Sequence, residues 1–126
     1  MKQIIESKNA PAPIGPYSQA VLAGNMLYTS GQIAIDPATN QLKTDNISEE
    51  TTLVMQNLKA VLNAANMDLE HVVKASIFLK DMNQFGAVNE IYGSFFISNP
   101  PARETVQVAK LPKDVNVEIS VIAIKQ

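Results

Sequence analysis

The chain has 126 residues, 46% of them hydrophobic and 17% charged, which is the length of one domain and a composition that builds a core. Ten basic against twelve acidic residues leave a net charge of -2, so no overall positive field is present to hold nucleic acid or an anionic membrane. The chain has no cysteine and one histidine, which excludes disulfides, thiolate metal sites and cysteine nucleophiles and leaves zinc in need of an unusual carboxylate set.

Residues 1–126 read as a single domain. Met1 to Asn9 contains no apolar run of signal-peptide length, and the longest apolar stretch, Val121 to Ile124, is far short of a membrane span. A cytoplasmic protein without membrane partners is expected. Ile4 and Ile5 begin a short strand, and three prolines between Ala10 and Pro16 forbid helix and make a rigid extended arm. Ser18 to Ala23 and Met26 to Ser30 are β-prone runs joined across Gly24-Asn25, a composition that suits a two-residue hairpin turn. Asp36 to Asn40 reads as a surface turn.

From Ser48 the period changes. Thr51, Val54, Leu58, Val61, Leu62 and Ala65 recur at helical spacing behind Glu49 and Glu50, with Ser48 or Asn46 as the cap. Asn66 suits the left-handed residue that ends a helix, and Val72 to Leu79 follows as a buried strand. A second helix starts at Asn83 with Phe85, Val88, Tyr92 and Phe95 or Phe96 as its apolar stripe, and Asn99-Pro100-Pro101 stops it. Thr105 to Val108 and Val117 to Ile124 complete the sheet around the loop Leu111 to Asp114. The fold class is α+β, a mixed six-stranded sheet with two helices on one face. In the last strand the alternation decays until both faces are apolar. Two helices cover only one of those faces, so a second copy of the chain is expected on the other, the alternative being a long covering loop.

Arg103 is the only arginine. It opens a strand whose members Val106 and Val108 are read as facing inward, which places a permanent charge at the lip of the core. A guanidinium there matches a small carboxylic acid through its planar fork, or pairs with Glu118 or Glu104 as a staple. Glu118 lies between Val117 and Ile119, where burial would tune its pKa for proton traffic, or it sits at an edge in solvent. Asn89 falls one turn after Phe85 and is expected to be buried with partners for its amide. Tyr17, at the end of the proline arm, is a lid over a pocket or simple packing. Ser30-Gly31-Gln32 follows a strand, and glycine there admits close approach by a ligand or another chain, or marks a β-bulge. His71 is assigned to the surface or to capping.

Five motifs occur in order: Ile14-Gly15-Pro16-Tyr17-Ser18-Gln19, Tyr28-Thr29-Ser30-Gly31-Gln32-Ile33, Val88-Asn89, Pro101-Ala102-Arg103 and Leu111-Pro112-Lys113-Asp114. Together they resemble the RidA/YjgF family of enamine/imine deaminases over nearly the whole chain. The resemblance implies a chorismate-mutase-like subunit in a homotrimer with active sites between subunits. It further implies hydrolysis of 2-aminoacrylate-type enamines and their imine tautomers, such as 2-iminopropanoate, to 2-oxo acids and ammonia, with no cofactor; the composition separately leads to the expectation of no metal. Carried over by motif, Arg103 clamps the substrate carboxylate, Glu118 positions or activates water, and Tyr17, Ser30, Gly31 and Asn89 line the cleft. Two departures stand out. Glu104-Thr105 replaces a common Ser-Cys, leaving Thr105 to offer a hydroxyl while alternation sends Glu104 to the opposite face, and Ala34 replaces a frequent proline. An endoribonuclease or translation inhibitor, and a non-enzymatic metabolite-binding regulator or chaperone, are the competing functions. One His, one Arg and an acidic balance supply little for metal-independent RNA cleavage.

Overall fold

The computed structural model describes residues 1–126. Strand β1 (Lys2–Ile5) pairs antiparallel with β2 (Ala20–Ala23), and β2 turns into β3 (Met26–Thr29) as the expected hairpin. Gly24 at its tip has φ 63°, a conformation glycine adopts without steric cost. Helix α1 (Ile47–Ala64) is capped by Asn46, whose side chain accepts from the Ser48 and Glu49 amides, which decides between the two proposed caps. Asn66 leaves the helix at φ 59°.

Strand β4 (Val72–Leu79), helix α2 (Phe85–Ser94), strand β5 (Ala102–Gln107) and strand β6 (Val117–Ile124) complete the chain. The sheet runs β1-β2-β3-β6-β4-β5, and β4–β5 is its one parallel pair, so α2 is the crossover between them. The second helix opens as a 3-10 turn, Met82–Gln84, because Asp81 accepts from the Asn83 amide and delays α2 to Phe85.

Both helices pack on one face of the sheet. Val54, Leu58, Val61 and Leu62 of α1 and Val88 and Tyr92 of α2 are buried against Val117, Ile119, Val121 and Ala123 of β6. Alternation along β6 then turns Glu118, Ser120, Ile122 and Ile124 to the other face. Tyr28, paired with Ile122, and Val106 are 47% and 41% exposed on that face. No helix is long and apolar enough to cross a membrane.

Two expectations about β5 are corrected. The strand starts at Ala102, three residues early, because parallel pairing with Lys74 begins there. Val106 faces away from the helices: Arg103 pairs with Ala75 and Thr105 with Ile77, both core positions, so alternation sends Glu104 and Val106 to the open face.

One polar tether fixes the approach to β6. Glu50 of α1 is fully buried, and its two carboxylate oxygens accept from the Asn116 backbone amide at 2.8 Å and the Asn116 Nδ2 at 2.7 Å. The preceding turn holds Lys113 and Asp114 at φ 55° and 56°, and Asp114 forms an ion pair with Lys80 at 3.2 Å.

Candidate active site

Beyond β3 the pairing with β6 slips. Tyr28 pairs with Ile122 and Gln32 with Ile119, so four steps on one strand oppose three on the other. The extra residue is a bulge at Ser30-Gly31. A Cβ built on Gly31 would stand 2.6 Å from Glu118 Oε2 and 2.7 Å from its Cδ. Only glycine therefore lets the Glu118 carboxylate lie across this backbone. The close approach expected at Gly31 is made by the chain's own glutamate. Glu118 is half-buried there, and burial pushes its carboxyl above the usual range.

Ser30 Oγ donates to the Ser18 carbonyl at 2.6 Å, which ties the bulge to the end of the proline arm. The arm itself is fastened by Gln19, whose buried Nε2 donates to the Ser7, Ala10 and Pro11 carbonyls while its Oε1 accepts from the Ser7 amide. Tyr17 is half-exposed at the arm's end, with its hydroxyl accepting from the Ile14 amide. Tyr17, Ser30, Gly31 and Glu118 thus line one cavity of about 360 Å³, walled by Ile14 and Pro112.

The other candidates meet elsewhere. Arg103 Nη1 donates to Asn89 Oδ1 at 2.6 Å, and the guanidinium carbon lies 5.5 Å from the Phe85 ring centre and 5.1 Å from that of Tyr92. Thr105 projects beside Arg103 on the same side of β5, its hydroxyl buried without a partner. Asn89 is exposed, correcting the expectation of burial: Val88 and Tyr92 occupy the core-facing positions of α2, and Asn89 stands at the helix rim. Arg103 is not a staple, since it forms no ion pair with Glu104 or Glu118. Glu104 instead binds the Ser76 hydroxyl and the Lys74 ammonium on the opposite face, and those two partners hold its carboxyl below the usual range.

Within the chain the candidate residues therefore fall into two separate groups. Glu118 pairs with Phe78 on the open face, whereas Arg103 and Thr105 project toward α2. His71 belongs to neither: its Nδ1 accepts from the Asp68 amide and closes a capping box. No group of three or more His, Asp or Glu side chains is placed to hold a metal. Sequence reasoning missed Phe85 and Tyr92 as neighbours of Arg103, having read them only as core. The available signal was their spacing, since residues 85, 89 and 92 share one helix face.

The family model described as Endoribonuclease L-PSP matches residues 7–125. The chain belongs to this family, the RidA/YjgF family. Both groups of candidate residues lie inside the matched stretch. This RidA/YjgF chain is 49% identical over 126 residues to the RutC family protein PH0854 of Pyrococcus horikoshii, with 100% of each chain covered. It is 46% identical over 125 residues to a protein of Rattus norvegicus named 2-iminobutanoate/2-iminopropanoate deaminase, covering 99% of this chain and 91% of the relative. The crystal structure of E. coli TdcF with bound serine matches at a TM-score of 0.94 and 40% identity, covering 98% of this chain and 99% of that one.

Proposed function

We propose that this chain is an enamine/imine deaminase. It hydrolyses 2-aminoacrylate-type enamines, and imines such as 2-iminopropanoate and 2-iminobutanoate, to 2-oxo acids and ammonia in the cytoplasm. The observation that carries this reading is the lone guanidinium: Arg103 is held from one side by Asn89 and has no carboxylate partner within the chain. Its planar fork suits a substrate carboxylate bound through two parallel hydrogen bonds. Because the two half-sites face apart in one protomer, the reading places each cleft between subunits of a homotrimer. Arg103, Asn89 and Thr105 come from one subunit and Tyr17, Ser30, Gly31 and Glu118 from the next.

The chemistry asks for little more. Protonation converts the enamine or imine to an iminium, which is already electrophilic at C2. With the carboxylate clamped, water adds to C2 while Glu118 takes its proton. Glu118 returns the proton to the nitrogen, the C–N bond breaks with its electrons leaving on ammonia, and loss of the hydroxyl proton gives the 2-oxo acid. A carboxyl whose pKa is raised by burial suits both transfers, because it holds and releases a proton nearer neutrality. The name of the rat relative supports this activity. The serine bound to TdcF supports a ligand carrying both a carboxylate and an amino group.

The ribonuclease reading that the family description suggests has less behind it. RNA cleavage without metal calls for an acid and a base near neutrality and for cations on the phosphate, yet His71 is engaged in a cap and Arg103 is the only arginine. A regulator or chaperone acting through its surface would not depend on Arg103. Ammonia and pyruvate release from enzymatically generated 2-aminoacrylate tests the proposal. Arg103→Ala is expected to lower kcat/KM by about 100-fold, the usual scale for losing one partner of a desolvated charge pair. Equal rates in the two proteins end the deaminase reading.

A further inference from the structure

An arginine side chain has four flexible torsions, so a clamp built on one works only where something holds its plane. The Asn89 contact fixes one nitrogen of Arg103 and leaves rotation about that point free. Two aromatic rings supply what is missing. Phe85 and Tyr92 stand on the same face of α2 as Asn89, about one turn before it and one turn after it, and both ring centres lie within the roughly 6 Å reach of a cation over an aromatic face.

We propose that the rings of Phe85 and Tyr92 are positioning residues for Arg103, an aromatic socket that sets the plane of the guanidinium and so the orientation in which it receives a carboxylate. The inference rests on the deaminase reading for its substrate but not for its geometry. The ring of Tyr92 acts here and not its hydroxyl, which is buried without a hydrogen-bond partner. Burial also pushes the Tyr92 pKa up, against an opposing pull from Arg103, so the phenol stays neutral and is no counter-ion. The socket leaves the remaining guanidinium N–H groups free, as a bidentate clamp requires.

Because the chain has one arginine, labelling with 15N-arginine gives a single side-chain Nε–H resonance, which reports the rings over it directly. That resonance is expected to be displaced by ring current in the wild type. It should move toward the free-arginine position in Tyr92→Leu and in Phe85→Leu, and stay in place in Tyr92→Phe. In parallel, KM for 2-iminobutanoate should rise about tenfold in Tyr92→Leu with kcat within about twofold, and Tyr92→Phe should retain the wild-type KM. An unmoved resonance in both leucine variants overturns the proposal, as does a Tyr92→Phe protein that shifts as far as Tyr92→Leu. Should Tyr92→Leu not fold, Phe85→Leu, at a half-buried ring, decides on the same readouts. Wild-type protein that neither turns over the imine nor shifts its arginine resonance on titration with pyruvate would sink the deaminase reading, while the ring-current comparison still judges the socket.

Discussion

Glu118 and Gly31 act as one unit, because the carboxylate rests where a glycine backbone leaves room and is half-buried for that reason. Its folded-state pKa lies above its unfolded value, so the native state holds the extra proton between the two. Stability is then undiminished below the unfolded value, roughly pH 4, and falls as the pH rises through the folded one. Glu118→Gln removes that loss. The variant is expected to melt at a higher temperature than wild type at pH 7, with the gap closing toward pH about 4, while ammonia release falls about 100-fold. Thermal melts across a pH series check this, and a wild type more stable than the variant at neutral pH would reverse the sign of the claim. The pair was half legible in the sequence. A carboxylate between Val117 and Ile119 and a glycine after a strand each stand out, but their contact spans 87 positions and no local pattern carries it. Asn89 was misplaced for a related reason: adjacent helix positions point about 100° apart, and the apolar stripe is wide enough to blur its own rim.

At the scale of elements, hydrophobic period and turn chemistry gave the order of strands and helices. Pairing was another matter. That β6 inserts between β3 and β4 is a long-range fact, and the only local hint was a final strand apolar on both faces. Nor did anything in the sequence separate Glu50 from Glu49, both acidic residues in the first turn of α1, although only Glu50 is buried and bonded to Asn116. This tether joins α1 to the turn that holds two residues at positive φ and leads into the Glu118 strand. Glu50→Ala would leave two Asn116 donors unpaired and is expected to cost about 2–4 kcal/mol, with Glu50→Gln, which keeps one acceptor oxygen, falling between. Urea unfolding midpoints measure both. An alanine variant as stable as wild type would show that the tether contributes nothing.

At the scale of the whole molecule, the open sheet face and the placement of Glu118 and Arg103 on opposite faces both suit the proposed assembly. Tyr28 lies exposed beside Ile122, and Val106 beside Phe78, on the face the helices leave bare, and a symmetric copy can cover such a surface. The same packing would bring the Glu118 half-site of one subunit to the Arg103 half-site of the next, which no rearrangement within a protomer achieves while both residues keep their strand faces. This arrangement makes a quantitative demand. Arg103→Ala and Glu118→Gln proteins should each be nearly inactive alone. If they are unfolded together at equal amounts and refolded, a cleft is intact when its arginine comes from a Glu118→Gln subunit and its glutamate from an Arg103→Ala subunit. Random assembly places that combination in about one cleft in four, so the mixture should recover about a quarter of wild-type deaminase activity. Sites contained within single protomers would recover none, and mixing the folded variants without subunit exchange should likewise give none. Recovery near one quarter, appearing only after refolding, would therefore establish both the oligomer and the division of the site between its subunits.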